Sequence, residues 1–419
     1  MKRKIKLIAS LTGVIIFVFV GAVNYSIFKQ FGKIEGFVDK RVPLDIVEEE
    51  PFTEDINLDV LAERIISRMS IEEKIGQLLM INYLGNDLSR VRILVESYHI
   101  GGFMLKSENI VNNNYRQVKA NNRRIQHFAS SIPIFLSVDQ EGGSVARLRT
   151  IIDNYPSPLE LYSLRGEEGV IELARYFSSR LKDLNIHINF APVMDVIEVN
   201  HSVVSGRVFS RNVDVNTRLS RVYLDIFNKS GVIAVPKHYP GYGRVGIDPH
   251  YEVCFDPIQD IDVISAPFRE VIDAQMIMSA HVVYPNYDNK PGTLSEIIIS
   301  GLRQKGFSNI IITDDIQMYS ITDIYDYKTA SKMALQAGCD IVLSITKDDK
   351  DWFDEAVNLH KYLVEAYKRG EIPPEKINLA LKRVLRSKLK YLSSEKWAIL
   401  NNEERIFIRS VSEKTVKGY

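Results

Sequence analysis

The sequence predicts an α/β fold, a single (β/α)8 barrel of TIM type, and three observations carry that expectation. Eight short apolar runs recur between residues 75 and 345. They are continuous rather than alternating, as strands of a parallel sheet are when both faces are covered. Amphipathic stretches fill the gaps, and polar or charged residues close the runs at their carboxyl ends, where barrels of this type carry their sites. A doubly wound sheet is the alternative for such an alternation, but no G-x-G-x-x-G follows the first run to support it.

The chain opens with MKRKIK, carrying four positive charges, followed by Leu7 to Phe28 with none. About 20 apolar residues are needed to span the hydrocarbon, whereas a signal-peptide core runs about 7–15. Residues 1–28 therefore read as an uncleaved transmembrane anchor with its basic end in the cytoplasm. Small residues at Val20, Gly21 and Ala22 keep a cleaved, secreted form open as the second reading. Both readings place the remainder outside the cytoplasm. Residues 29–57, mixed and acidic (VEEEPFTED), read as a tether.

From Leu58 the barrel pattern begins. The strand candidates are IGQLLMINY (75–83), GGFMLK (101–106), PIFLSVDQ (133–140), INFAPVMDV (188–196), GVIAVPKHY (231–239), MIMSAHVVY (276–284), NIIITDDIQM (309–318) and CDIVLSI (339–345). Helical periodicity appears in IEEKIGQ before the first run, in VIELARYFSSRLKDL (170–184) and in TRLSRVYLDIFNK (217–229). Residues 374–392 form a closing helix that covers the barrel. The catalytic domain is thus expected over 58–395, with 396–419 a C-terminal tail.

Lys+Arg and Asp+Glu both number 53, so the net charge is zero and no field invites nucleic acid. The two cysteines, Cys254 and Cys339, are expected as buried thiols, with one disulfide between them the other possibility. No C-x-x-C or His/Cys cluster has the spacing of a metal site, so no metal and no cofactor is expected.

The densest chemistry lies in KHYPGYGRVGIDPH (237–250) after the fifth run. Its glycines keep the loop deformable, and Asp248 is close enough in sequence to orient the His250 imidazole. Other charges end strands: Asp139 and Glu141, Asp195, Lys237 and His238, His281, Asp314 and Asp315. Carboxylates there are costly unless paired, so their convergence points to a site. Taken singly, Glu141 and Asp315 read equally well as helix caps. His281 reads as well as a satisfied core histidine, and His99, His127, His187, His201 and His360 read as structural or surface residues. Asp314 and His250 together offer a fixed carboxylate and a mobile proton carrier. Retaining glycoside cleavage needs that division of labour, and histidine, titrating ordinarily near about 6.5, can serve as acid and base in turn.

The chain resembles the family 3 glycoside hydrolases, and within them the NagZ-like β-N-acetylglucosaminidases, from about Leu58 to Tyr391. The motifs are DQEGGSVARL (139–148), NFAPVMDV (189–196), SGRVFS (205–210), KHYPGYGRVGIDPH (237–250), MSAHVVYP (278–285), TLS (293–295), ITDDIQM (312–318) and AGCDIVL (337–343). The resemblance implies Asp314 as nucleophile, His250 as acid/base and Asp248 as its partner. Asp139 would hydrogen-bond sugar hydroxyls, and Arg147, Arg207, Lys237 and His238 would position an N-acetylglucosamine ring. It implies a retaining exo-hydrolase of peptidoglycan fragments or short amino-sugar chains. Two other readings stay open: a phosphorylase, since a neutral histidine base spares phosphate the repulsion of about 1–4 kcal/mol that a carboxylate exerts at 4 Å, and an inactive, membrane-anchored glycan-binding protein. Tyr242, Pro249 and Ser144 depart from the usual pattern, where a histidine, a serine and an arginine are common. Pro249 fixes its own φ and restricts Asp248, so a stiffer turn is expected there.

Overall fold

Eight apolar segments pair in parallel in the computed structural model, which describes residues 57–199, 203–346, 351–392 and 397–417. They are β1 (Leu79–Asn82), β2 (Gly102–Leu105), β3 (Phe135–Val138), β4 (Ile188–Asn189), β5 (Ile233–Ala234), β6 (Met276–Ser279), β7 (Ile310–Thr313) and β8 (Val342–Ser344). Six of them run side by side in the order β8-β1-β2-β3-β4-β5, and β6 pairs with β7. The two remaining seams are closed by the parallel bridges Tyr239↔Ser279 and Ile312↔Ile341. Met278 N donates to Pro236 O at 3.1 Å and Thr313 N to Ile341 O at 3.0 Å across them. The strands thus follow one another around a ring in chain order, as expected of a (β/α)8 arrangement.

Each expected run contains a strand, but the ladders are shorter than the runs. Ile75 to Gln77 belong to the helix Ile71–Gln77, because Ser70 and Glu73 form a reciprocal capping box that starts a helix there. In the fourth and fifth runs, Pro192 and Pro236 lack the N–H that an unbroken ladder needs, and pairing resumes only as a single bridge between Val193 and Lys237. The helix expected over 170–184 begins at Pro158, with a non-helical residue at Gly166. Gly231, at φ 83°, ends the helix Val213–Ser230 in the left-handed conformation and turns the chain into β5. The segment read as a C-terminal tail contains the helix Asn402–Lys417, and Trp397 before it is fully buried. Cys254 and Cys339 are buried and unbridged.

The closing helix, Pro374–Tyr391, seals the amino-terminal end of the barrel with a lysine. Lys388 is fully buried, donates to Gln77 Oε1 at 2.7 Å and to Gly101 O at 2.8 Å, and lies 5.2 Å from the centre of the Phe135 ring. Burial pushes its pKa down to about 7. Among the described residues no helix is long and apolar enough to cross a membrane. The expected anchor and nearly all of the tether, residues 1–56, lie outside the described residues, as does His201.

Candidate active site

The carboxyl ends of the strands carry a connected set of buried charges. Beyond β3, both backbone groups of Gln140 are held by the Asn189 side chain, which donates to its carbonyl and accepts from its amide at 2.9 Å each. That clamp sets Asp139 and Glu141 on either side of Gln140. Lys237, beyond β5, places Nζ 3.1 Å from Asp139 Oδ1 and 2.7 Å from Glu141 Oε1. Arg207 donates to both oxygens of Glu141 at 2.8 Å. Burial opposes the charge on Glu141, but Arg207 and Lys237 outweigh it and hold its pKa at about 2. Burial likewise opposes protonation of Lys237, and Asp139 and Glu141 raise its pKa above the ordinary lysine value. Arg147 stands 3.9 Å from Asp139 at the outer edge.

A second string of contacts runs toward β7. Asp195 Oδ2 lies 2.8 Å from His238 Nδ1, while its Oδ1 accepts the backbone N–H of His238 at 3.3 Å and of Tyr242 at 2.7 Å. The other ring nitrogen of His238 is 3.9 Å from Asp314 Oδ2. Asp314 Oδ1 accepts from the Asp315 amide at 2.8 Å. Burial would raise the Asp314 pKa, yet His238, His281 and Lys237 together hold it below the ordinary aspartate value. Asp315 moves the other way, to about 7, driven by burial with a further push from Asp314. Two adjacent carboxylates are therefore separated in acidity, the usual mark of a site that needs one of them ionised. His281 is buried, and burial lowers its pKa. Its Nε2 carries the proton, since the partner is the Asp315 carbonyl at 2.9 Å, and its Nδ1 has no partner among the described residues.

The loop after β5 brings the third component. Its base is fixed: Tyr284 donates to Gly241 O at 2.6 Å, and Gly243 packs so closely on Val196 that an added Cβ would sit 2.2 Å from the Val196 carbonyl oxygen. At the tip, Asp248 Oδ1 lies 2.7 Å from His250 Nδ1 and accepts the His250 N–H at 2.9 Å. The imidazole itself is exposed, with 61% of its side-chain surface accessible. Pro249 O accepts from Ser320 N at 3.1 Å, tying the tip to the segment that follows Asp314.

Asp139, Arg147, Arg207, Lys237, His238, His250 and Asp314 line one pocket, together with His281, Tyr242 and Met318. Seven of the eight residues singled out from sequence meet there, and Asp248 sits behind His250. Glu141 and Asp195 were named from sequence only as strand-end charges, without a role in the site. Glu141 is no helix cap but the anionic centre of an ion cluster, and Asp195 orients His238. The burial cost of a strand-end carboxylate marked both from sequence, but it does not name their partners. A separate cleft at the amino-terminal face, lined by residues such as Arg123, Lys182, His187 and Tyr391, has no such convergence of paired acids and bases.

Comparison with known proteins gives the family. Residues 70–387 match the family model described as "Glycosyl hydrolase family 3 N terminal domain". The chain is 30% identical over 345 residues to Beta-hexosaminidase A of Pseudoalteromonas piscicida, covering 74% of this chain but 56% of that protein. It is 29% identical over 335 residues to Beta-hexosaminidase LpqI of Mycobacterium tuberculosis, covering 75% and 82%. Among solved structures, a glycoside hydrolase family 3 beta-N-acetylglucosaminidase from Paenibacillus superposes with a TM-score of 0.72 at 27% identity, covering 83% of this chain and 69% of that one. LpqI of M. tuberculosis gives 0.71 at 28%, covering 78% and 96%.

Proposed function

Because this chain belongs to glycosyl hydrolase family 3, we propose that it is a retaining exo-β-N-acetylglucosaminidase, acting on terminal N-acetylglucosamine of peptidoglycan fragments or short amino-sugar chains. The observation that carries the reading is the meeting in one pocket of an Asp314 carboxylate favoured in its ionised form and an exposed His250 held by Asp248. In the first step Asp314 attacks the anomeric carbon, the bond to the leaving oxygen breaks, and His250 gives that oxygen a proton. In the second, His250 takes a proton from water, the water oxygen bonds to the anomeric carbon, and Asp314 departs. Asp139, Lys237, His238 and Arg147 would hold the sugar hydroxyls, with Arg207 braced by Glu141 at the pocket wall. The basic, uncharged-core segment at residues 1–28 supports a protein anchored in the membrane, or secreted if cleaved, with the barrel outside the cytoplasm.

A slow fluorinated N-acetylglucosaminide tests the chemistry. Covalent labelling at Asp314, lost in Asp314→Ala, is expected; labelling elsewhere reassigns the nucleophile. His250→Ala should lose on the order of 10²–10⁴ in rate, and full activity would remove His250 from the mechanism. Product analysis in phosphate buffer should give free sugar; sugar-1-phosphate would replace hydrolysis by phosphorolysis.

A further inference from the structure

The His250 side chain has little packing of its own, so its position over the pocket is set by the backbone that carries it. That backbone is braced just before the Asp248–His250 pair. The Tyr242 hydroxyl donates to the carbonyl of Ile247, and Cys254 Sγ reaches the same oxygen at 3.6 Å. Tyr242 is itself fixed from three sides. Its amide donates to Asp195 at 2.7 Å, and its ring meets His238 edge-on at 6.0 Å. Its glycine neighbours are clamped by Tyr284 and Val196. The residue is 4% exposed although it lies on a glycine-rich loop, and burial raises its pKa, keeping the phenol a donor.

We propose that Tyr242 is a positioning residue for proton transfer: it couples the Asp195–His238 floor of the pocket to the loop tip and holds His250 where it meets the leaving-group oxygen. The inference rests on the acid/base reading of His250. Removing the hydroxyl leaves the Ile247 carbonyl with only the weak Cys254 thiol donor and lets the tip drift, while the sugar-binding floor keeps its contacts. The loss then falls on the step that needs the acid, and its size depends on the leaving group. A phenol that departs unaided as its anion has little use for His250, whereas an alcohol needs the proton.

The test compares kcat/KM of the full-length protein, Tyr242→Phe and His250→Ala on N-acetylglucosaminides with a 2,4-dinitrophenyl and an unactivated alkyl leaving group. Tyr242→Phe should lose about 10-fold to 10²-fold on the alkyl glycoside, the scale of a catalytic group displaced by about 1 Å, and less than about 2-fold on the dinitrophenyl one. The ratio is taken within each variant, so a smaller folded fraction cancels. Should Tyr242→Phe not fold, Tyr242→Met removes the reach to Ile247 and keeps an apolar side chain beside His238, with the same expectation. Equal losses on both substrates, or none, overturn the proposal for Tyr242. If His250→Ala itself shows no dependence on the leaving group, the acid/base reading fails instead.

Discussion

Glu141 is the residue whose loss should do most to the pocket without touching the reacting atoms. Its side chain is 1% exposed, and it faces two cations: Arg207, through both carboxylate oxygens, and Lys237. Glu141→Gln keeps the shape, removes the charge, and turns an N–H toward one of those donors. A carboxyl held at about 2 instead of 4.5 favours the folded state by about 3 kcal/mol at neutral pH, at about 1.4 kcal/mol per pH unit. Breaking a buried ion pair by removing one partner independently suggests about 3–5 kcal/mol. The two routes agree, so urea denaturation at pH 7 should show Glu141→Gln about 3 kcal/mol less stable. The sign of the pH dependence is fixed by the lowered pKa. The stabilisation is complete above about 4.5 and is lost as pH falls toward 2, so the two proteins should converge in acid. Activity should fall as well, because Lys237 also reaches Asp139 and would no longer be held between two carboxylates. A variant within about 1 kcal/mol of wild type at pH 7 would refute the account, since it would mean that burial cancels the pairing.

Three further outcomes are expected. Asp195→Asn presents an amide to His238 Nδ1 and disturbs the ring that faces Asp314; kcat/KM should drop by about 10-fold to 10²-fold, and unchanged kinetics would detach Asp195 from the site. Lys388→Met should remove a pH dependence: with a folded pKa of about 7 against 10.5, the unfolded chain binds the extra proton between those values. Wild-type stability should therefore rise with pH across that window by up to about 1.4 kcal/mol per unit relative to the variant, and parallel curves would refute it. Gly243→Ala forces its new Cβ against the Val196 carbonyl, so the loop base must shift; initial rates should fall by about 10-fold or more, and wild-type rates would show that the base is free to move.

The barrel strands are legible in the chain because burial on both faces leaves unbroken apolar runs, and Gly102–Leu105 lies within one residue of the run 101–106 at either end, whereas Ile310–Thr313 and Met276–Ser279 fill only the first half of theirs. What the runs conceal is where pairing breaks, since prolines at 192 and 236 interrupt the ladder inside an apolar stretch before it resumes at Val193 and Lys237. The pocket was legible for a related reason: charge at the end of such a run has few explanations. Partnership was not. Glu141 meets Arg207 across 66 positions and Asp195 meets His238 across 43, and no spacing rule connects them. Tyr242 was visible as a departure from the family pattern, but the reach of its hydroxyl to Ile247 depends on how the loop folds back.

The pairing also explains which strand-end carboxylate is suited to react. A buried carboxylate must be compensated, and the closer its partners, the less it can offer to a substrate. Glu141 has both oxygens engaged by Arg207 at 2.8 Å, and Asp195 has both engaged by His238 and Tyr242. Neither can form a bond to carbon without abandoning these contacts. Asp139 retains Lys237 at 3.1 Å and is 17% exposed, which suits an acceptor of hydroxyl protons. Asp314 differs. One oxygen takes the Asp315 amide, the other lies 3.9 Å from the His238 ring nitrogen, and 22% of the side chain is open to the pocket. Its charge is sustained at a distance by His238, His281 and Lys237 rather than spent in a short hydrogen bond. Asp139 also keeps one oxygen clear of short contacts, with Arg147 3.9 Å away, but its other oxygen is held by the Lys237 ammonium at 3.1 Å. A carboxylate kept ionised by its surroundings, free of a short ion pair and left with an open oxygen is what attack on an anomeric carbon requires, and among these four Asp314 fits best.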